Sequence, residues 1–111
     1  MQVETRELEN QGAVLTFAAP TALDATNGDD LRERFQAASA AYDRVIVDCS
    51  AVTFMDSSAL GAFVTLHRRL IEKGGVLRLA AVGPSVTMVL QMTRLDRVFA
   101  IYQSVAEAEQ A

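Results

Sequence analysis

Asp56-Ser57-Ser58-Ala59-Leu60-Gly61 places two adjacent hydroxyls behind a carboxylate, where the chain passes from the apolar run Val45-Ile46-Val47 and its following loop into a segment of helical period, about Ala59 to Lys73. Hydroxyls at a helix start lie beside free backbone N–H groups and the positive end of the macrodipole, so a phosphoryl group on one of them would be partly stabilised locally. It would also change the surface charge by about −1.5 to −2. The plainer reading is that Ser57 or Ser58 only caps the helix, a role serine often fills. On local residues alone capping is the commoner use.

No other residue offers a competing chemistry. Hydrolysis through a serine needs a base within hydrogen-bond reach, and the single histidine, His67, falls nearly three helical turns, about 15 Å, from Ser57 along the same helix. At 100° per residue it shares an arc with Leu60, Phe63, Val64, Leu70 and Ile71, which predicts a boundary or core side chain. Cys49 follows Asp48 at the end of the Val45 strand with no base or cation beside it, so it reads as an apolar filler. Alone, it cannot form an internal disulfide. Neither a Gly-x-Ser-x-Gly elbow, a phosphate-cradling glycine loop nor a His/Cys metal cluster occurs in the sequence. The expectation is a chain that is not an enzyme and carries no cofactor or metal.

The elements that must position the hydroxyls come next. The 111 residues suit one domain spanning 1–111, and the longest apolar runs are a few residues, against roughly 20 for a membrane span. The amino-terminal stretch lacks the basic, apolar, small-residue order of a secretory signal, so the expected location is cytoplasmic. Ten basic residues are scattered among fourteen acidic ones for a net charge of −4, which argues against a nucleic-acid surface.

Val3 to Leu8 and Ala13 to Ala18 read as strands joined by the turn Glu9-Asn10-Gln11-Gly12, an opening hairpin. Capping residues in 23–27 precede Leu31, Phe35 and Ala38, spaced as one helix face to about Tyr42. After Val45-Ile46-Val47 comes an expected loop from Ser50 to Asp56, then the helix to Lys73, stopped by Gly74-Gly75. Val76 to Ala81 reads as a strand. Gly83-Pro84-Ser85 restarts a helix whose Met88 and Met92 are expected in the core with Val89 and Leu90. Val98 to Ile101 is a last strand, and a helical tail follows Gln103. Strands alternating with helices, two of them nearly continuous in apolar residues, predict an α/β domain with a mostly parallel sheet.

Val52-Thr53-Phe54-Met55-Asp56-Ser57-Ser58-Ala59-Leu60-Gly61 resembles the phosphorylation-site motif of STAS domains, in particular bacterial anti-sigma factor antagonists, whose usual form is Phe-Met/Ile-Asp-Ser-Ser-Gly-Leu-Gly. The likeness extends over nearly the whole chain, through Leu23-Asp24, the Val45 strand, the Gly74-Gly75 turn and Met92-Thr93-Arg94-Leu95. It departs at Ala59 for the usual Gly, at Ala19-Pro20 for a frequent Thr-Gly pair, and at Ala25 for a polar residue. The resemblance implies a STAS-type fold of about five strands in a mixed, mostly parallel sheet covered by about four helices.

It further implies a phosphoacceptor at Ser57 and a partner-binding loop of Asp24, Asp56, Ser58, Leu60 and Gly61. The implied partners are an anti-sigma factor of the histidine-kinase-like ATPase type, which acts as the serine kinase, and a separate serine phosphatase. Unmodified, such a protein binds the anti-sigma factor and frees the sigma factor; phosphorylated, it lets go. The alternative is a STAS subunit of a lipid-transport ATPase complex or of a stress-signalling scaffold, where the hydroxyl is silent.

Overall fold

Residues 1–111 are described by a computed structural model. Along the chain run β1 (Val3–Leu8), β2 (Gly12–Phe17), β3 (Thr21–Leu23), α1 (Gly28–Ala41), β4 (Arg44–Asp48), β5 (Val52–Met55), α2 (Ser57–Glu72), β6 (Val76–Ala80), α3 (Pro84–Met92), a 3-10 turn (Leu95–Arg97), β7 (Ala100–Tyr102) and α4 (Val105–Gln110). The opening hairpin forms as its sequence requires: β1 and β2 pair antiparallel from Val3↔Phe17 to Leu8↔Gly12, and Asn10 and Gln11 take the positive φ that such tight turns need.

The main sheet has the order β1-β2-β4-β6-β7, with every pairing after the hairpin parallel. It is the mixed, mostly parallel sheet expected from the alternating elements. The period-two alternation of β4 then decides what covers each face. Val45 and Val47 join Leu15, Leu77 and Leu79 in the larger core, with Leu31 and Phe35 of α1 and Phe63, Leu66 and Leu70 of α2. Ile46 points to the opposite face and packs with Val14, Ala80 and Ala108 of α4. Each large side chain so buried contributes roughly 1.5–3 kcal/mol. No helix is long and apolar enough to cross a membrane.

Three local expectations are corrected. The segment from Ser50 to Asp56 is not all loop: β5 pairs parallel with β3 as a small second sheet. The last strand starts at Ala100, because the chain spends residues 95–97 in the 3-10 turn. Met88 and Met92 are 60% and 77% exposed. In so short a helix Val86 and Leu90 are buried and Val89 packs half-buried against the core, whereas the 88/92 pair, four residues apart, shares the opposite face. The double glycine after α2 ends the helix as expected. Gly74 sits at φ 81°, and a Cβ on Gly75 would come within 1.9 Å of the Asp43 carbonyl oxygen, so neither position accepts another residue without rearrangement.

Candidate functional site

The site is built by the passage from β5 into α2, which a single residue accomplishes. Asp56 stands in extended backbone between Met55 and Ser57. Its N–H donates to the Leu23 carbonyl of β3 at 3.0 Å, and its own carbonyl accepts from Leu60 N at 3.0 Å. Its carboxylate Oδ1 accepts from the Ala59 N–H, also at 3.0 Å. The helix cap is therefore Asp56, and neither serine performs it, contrary to the plainer expectation. Helix α2 begins two residues earlier than the periodicity indicated, so Ser57 and Ser58 are its first two residues. An aspartate suits this place because its charge meets the positive end of the macrodipole as well as a free N–H.

Freed from capping, the two hydroxyls have different surroundings. Ser57 is exposed. Ser58 is half-buried, and its Oγ accepts from Arg32 Nη2 at 3.2 Å. Ala59, which replaces a glycine in the family motif, is fully buried and is the better helix former by about 1 kcal/mol. Leu60 is only 7% exposed and packs in the core, so its side chain anchors the helix rather than presenting a surface. Gly61, one turn beyond Ser57 and on the same face, is exposed.

Asp24 arrives beside this turn through strand register. Leu23 pairs with Met55, so Asp24 and Asp56 are the next residues at the adjoining ends of the small sheet. The Asp24 carboxylate accepts from the Thr26 hydroxyl and from the Thr26 N–H, while Asn27 ties the turn together by accepting from Asp24 N at 3.0 Å and donating to the Ala22 carbonyl at 2.9 Å. The Thr26 hydroxyl first and its N–H second hold the Asp24 carboxyl below the usual carboxylate range. At neutral pH a negative charge therefore stands at the end of β3.

A depressed folded value means that the stabilisation from this turn is complete above the unfolded value of about 3.9 and disappears as pH falls through the folded one. Carbon-13 titration of the Asp24 carboxyl should give a midpoint below the ordinary range, and Thr26→Val, which removes the hydroxyl bond and keeps the N–H, should move it upward. A midpoint at the ordinary value would contradict the assigned hydrogen bonds.

The remaining candidates lie outside the site. His67 is half-buried, with its ring edge-to-face on Phe99 at 5.6 Å. Cys49 is buried and its thiol is pushed up to about 12, by burial first and the Asp48 charge second, so it stays a protonated filler at neutral pH. Sequence reasoning did not find Thr26, Asn27, Gly28 and Arg32, which shape the surroundings of Asp24 and Ser58. No spacing rule could have found Gly28 and Arg32, since their relation to Ser58 is made by α1 packing across α2.

Comparison with known proteins sets this geometry in a family. The family profile for the STAS domain matches residues 5–108. A Thermotoga maritima protein that bears the name of a candidate anti-sigma factor antagonist is 33% identical over 67 residues, 60% of this chain and 59% of its own length. The matched stretch thus spans less than two thirds of that relative. The structure of an anti-sigma-factor antagonist (STAS) domain protein from Planctomyces limnophilus superposes with a TM-score of 0.84 at 30% identity, covering 96% of this chain and 92% of that one. The anti-sigma factor antagonist SpoIIAA shares the fold in its unphosphorylated form, with a TM-score of 0.81 at 22% identity, covering 96% of this chain and 92% of that one. Its phosphorylated form gives a TM-score of 0.75 at 21% identity, covering 98% of this chain and 97% of that one. Matched by the family profile over all but its ends, the chain belongs to the STAS domain family.

Proposed function

We propose that this chain is an anti-sigma factor antagonist controlled by phosphorylation of Ser57. Unmodified, it docks the surface around Asp24, Asp56, Ser57 and Gly61 on an anti-sigma factor of the histidine-kinase-like ATPase type, and the sigma factor is released. That partner then acts as the kinase: with MgATP the γ-phosphoryl passes to Ser57 Oγ, the bond to the β-phosphate oxygen breaks, ADP leaves, and the hydroxyl proton goes to a base on the partner. A separate serine phosphatase resets the switch in the cytoplasm. The chain supplies an acceptor and no catalytic group, and residues 1–111 act as one unit.

The observation that carries this reading is the state of Ser57, an exposed first-turn hydroxyl relieved of capping by Asp56. Support comes from relatives named anti-sigma factor antagonists, one of them solved both with and without phosphate. Physically, a dianion in a closely packed interface must be desolvated, and here it lies near Asp56 and Asp24, so binding weakens by several kcal/mol.

Gly61 bears on the same surface. A Cβ there would meet nothing within 4 Å, so nothing inside the fold demands glycine at this mid-helix position. Gly61→Ala should stabilise the chain, by up to about 1 kcal/mol, and yet weaken docking, because the added methyl would project from the exposed face that Gly61 shares with Ser57. Titration into a preformed complex of sigma factor and ATPase-type anti-sigma factor tests both statements. Size-exclusion chromatography should show sigma released by the unmodified chain and less released by Gly61→Ala. A complex untouched by excess unmodified chain would overturn the proposal in favour of a scaffold or transporter subunit.

A further inference from the structure

The two serines of the turn are separated by a contact that comes from another helix. Arg32 of α1, its side chain half-exposed, donates from Nη2 to Ser58 Oγ at 3.2 Å, and its Nη1 donates to the fully exposed Asp29 Oδ1 at 2.7 Å, a surface pair of small weight. Gly28, one turn earlier on α1, is buried and lies so near that a Cβ on it would come within 2.8 Å of Ser58 Oγ and 3.5 Å of Arg32 Nη1. The Ser58 hydroxyl thus lies against the place a side chain on Gly28 would take and is bonded to the guanidinium of Arg32. Ser57, exposed and without a side-chain hydrogen bond, meets neither.

We infer that Gly28 and Arg32 form a clasp that withholds the Ser58 hydroxyl from modifying enzymes and leaves Ser57 as the open acceptor. This inference rests on the proposed phosphoacceptor role of the turn and names the residues that select between its hydroxyls. Phosphoryl transfer needs an oxygen lone pair in line with the breaking bond and a base to take the proton. At Ser58 the guanidinium engages the oxygen and draws electron density from it, while Gly28 closes one side of approach. A phosphoryl group forced onto Ser58 would be gripped by the same guanidinium, whose planar donors suit phosphate. The clasp therefore hinders removal of a phosphate as well as its addition. Removal breaks the phosphorus–Oγ bond as water adds to phosphorus, giving serine and inorganic phosphate.

The test uses chains carrying phosphoserine, installed during synthesis, at 57 or at 58, with alkaline phosphatase as the probe and released inorganic phosphate as the readout. Hydrolysis at 57 should exceed that at 58 by about tenfold, the effect of one charge-assisted hydrogen bond. Arg32→Ala should bring the rate at 58 to within about threefold of that at 57 and leave the rate at 57 unchanged. Circular dichroism reports folding. A phosphoserine-58 chain that cannot fold would overturn the clasp, because a phosphate held by the Arg32 guanidinium should keep the turn together. Equal rates at 57 and 58 in the folded native sequence, or a rate at 58 that Arg32→Ala does not raise, would overturn the clasp. No partner kinase takes part, so these failures are distinct from failure to displace a sigma factor, which would count against the proposed function alone.

Discussion

Ser57→Asp should bind an ATPase-type anti-sigma factor at least tenfold more weakly than the unmodified chain, a difference of about 1.4 kcal/mol, while its unfolding midpoint stays level or rises. The two effects have opposite signs for one reason. In the free chain an aspartate in the first turn of α2, next to the capping Asp56, meets the positive end of the macrodipole, a gain of about 0.3–1 kcal/mol at an exposed site. In a complex the same charge loses its water. A true phosphate, with about −1.5 to −2 charges, should weaken binding further. Ser57→Ala, which adds no charge, should bind as the native chain does. Equal calorimetric affinities for the native and Asp chains would show that the hydroxyl is not at the docking surface.

The second large effect is on stability. Phe63 is fully buried in the core that joins both long helices to the sheet, and its ring stands edge-to-face on Phe35 at 4.9 Å and 86°. Phe63→Ala should cost about 3–5 kcal/mol, a large part of the 5–15 kcal/mol that keeps such a chain folded. Thermal denaturation should drop by on the order of 15 °C or more. The Phe35–Phe63 contact also holds α1 to α2, and with it Gly28 and Arg32 to Ser58. Phe54→Ala, at an exposed position, serves as the comparison and should change stability by within about 0.5 kcal/mol. A midpoint for Phe63→Ala as high as that of Phe54→Ala would contradict the packing described.

These results depend on features of unequal visibility in the sequence. The hairpin, both long helices and the three central strands were legible because each carries a sustained period, as in Leu31, Phe35 and Ala38 of α1 or Val45 to Val47 of β4. Strand β5 was not. Of Val52-Thr53-Phe54-Met55 the two ends are buried and the middle pair exposed, a pattern that matches neither alternation nor a continuous apolar run, since the strand pairs only with the three residues of β3. Met88 and Met92 misled for a related reason: apolar residues at helical spacing imply a buried face only where something packs on it. The acid-serine-serine sequence was visible, but its division of labour was not. That Asp56 caps while Arg32 holds Ser58 follows from which backbone N–H and which helix lie nearest in space, and local sequence carries neither.

Phosphate mapping tests the central claim most directly. The chain, incubated with its ATPase-type anti-sigma factor and MgATP, should gain one phosphate, and fragment mass spectra should place it on Ser57, with Ser58 unmodified and no labelling of Ser57→Ala. Phosphate on Ser58, or undiminished labelling of Ser57→Ala, would contradict the account.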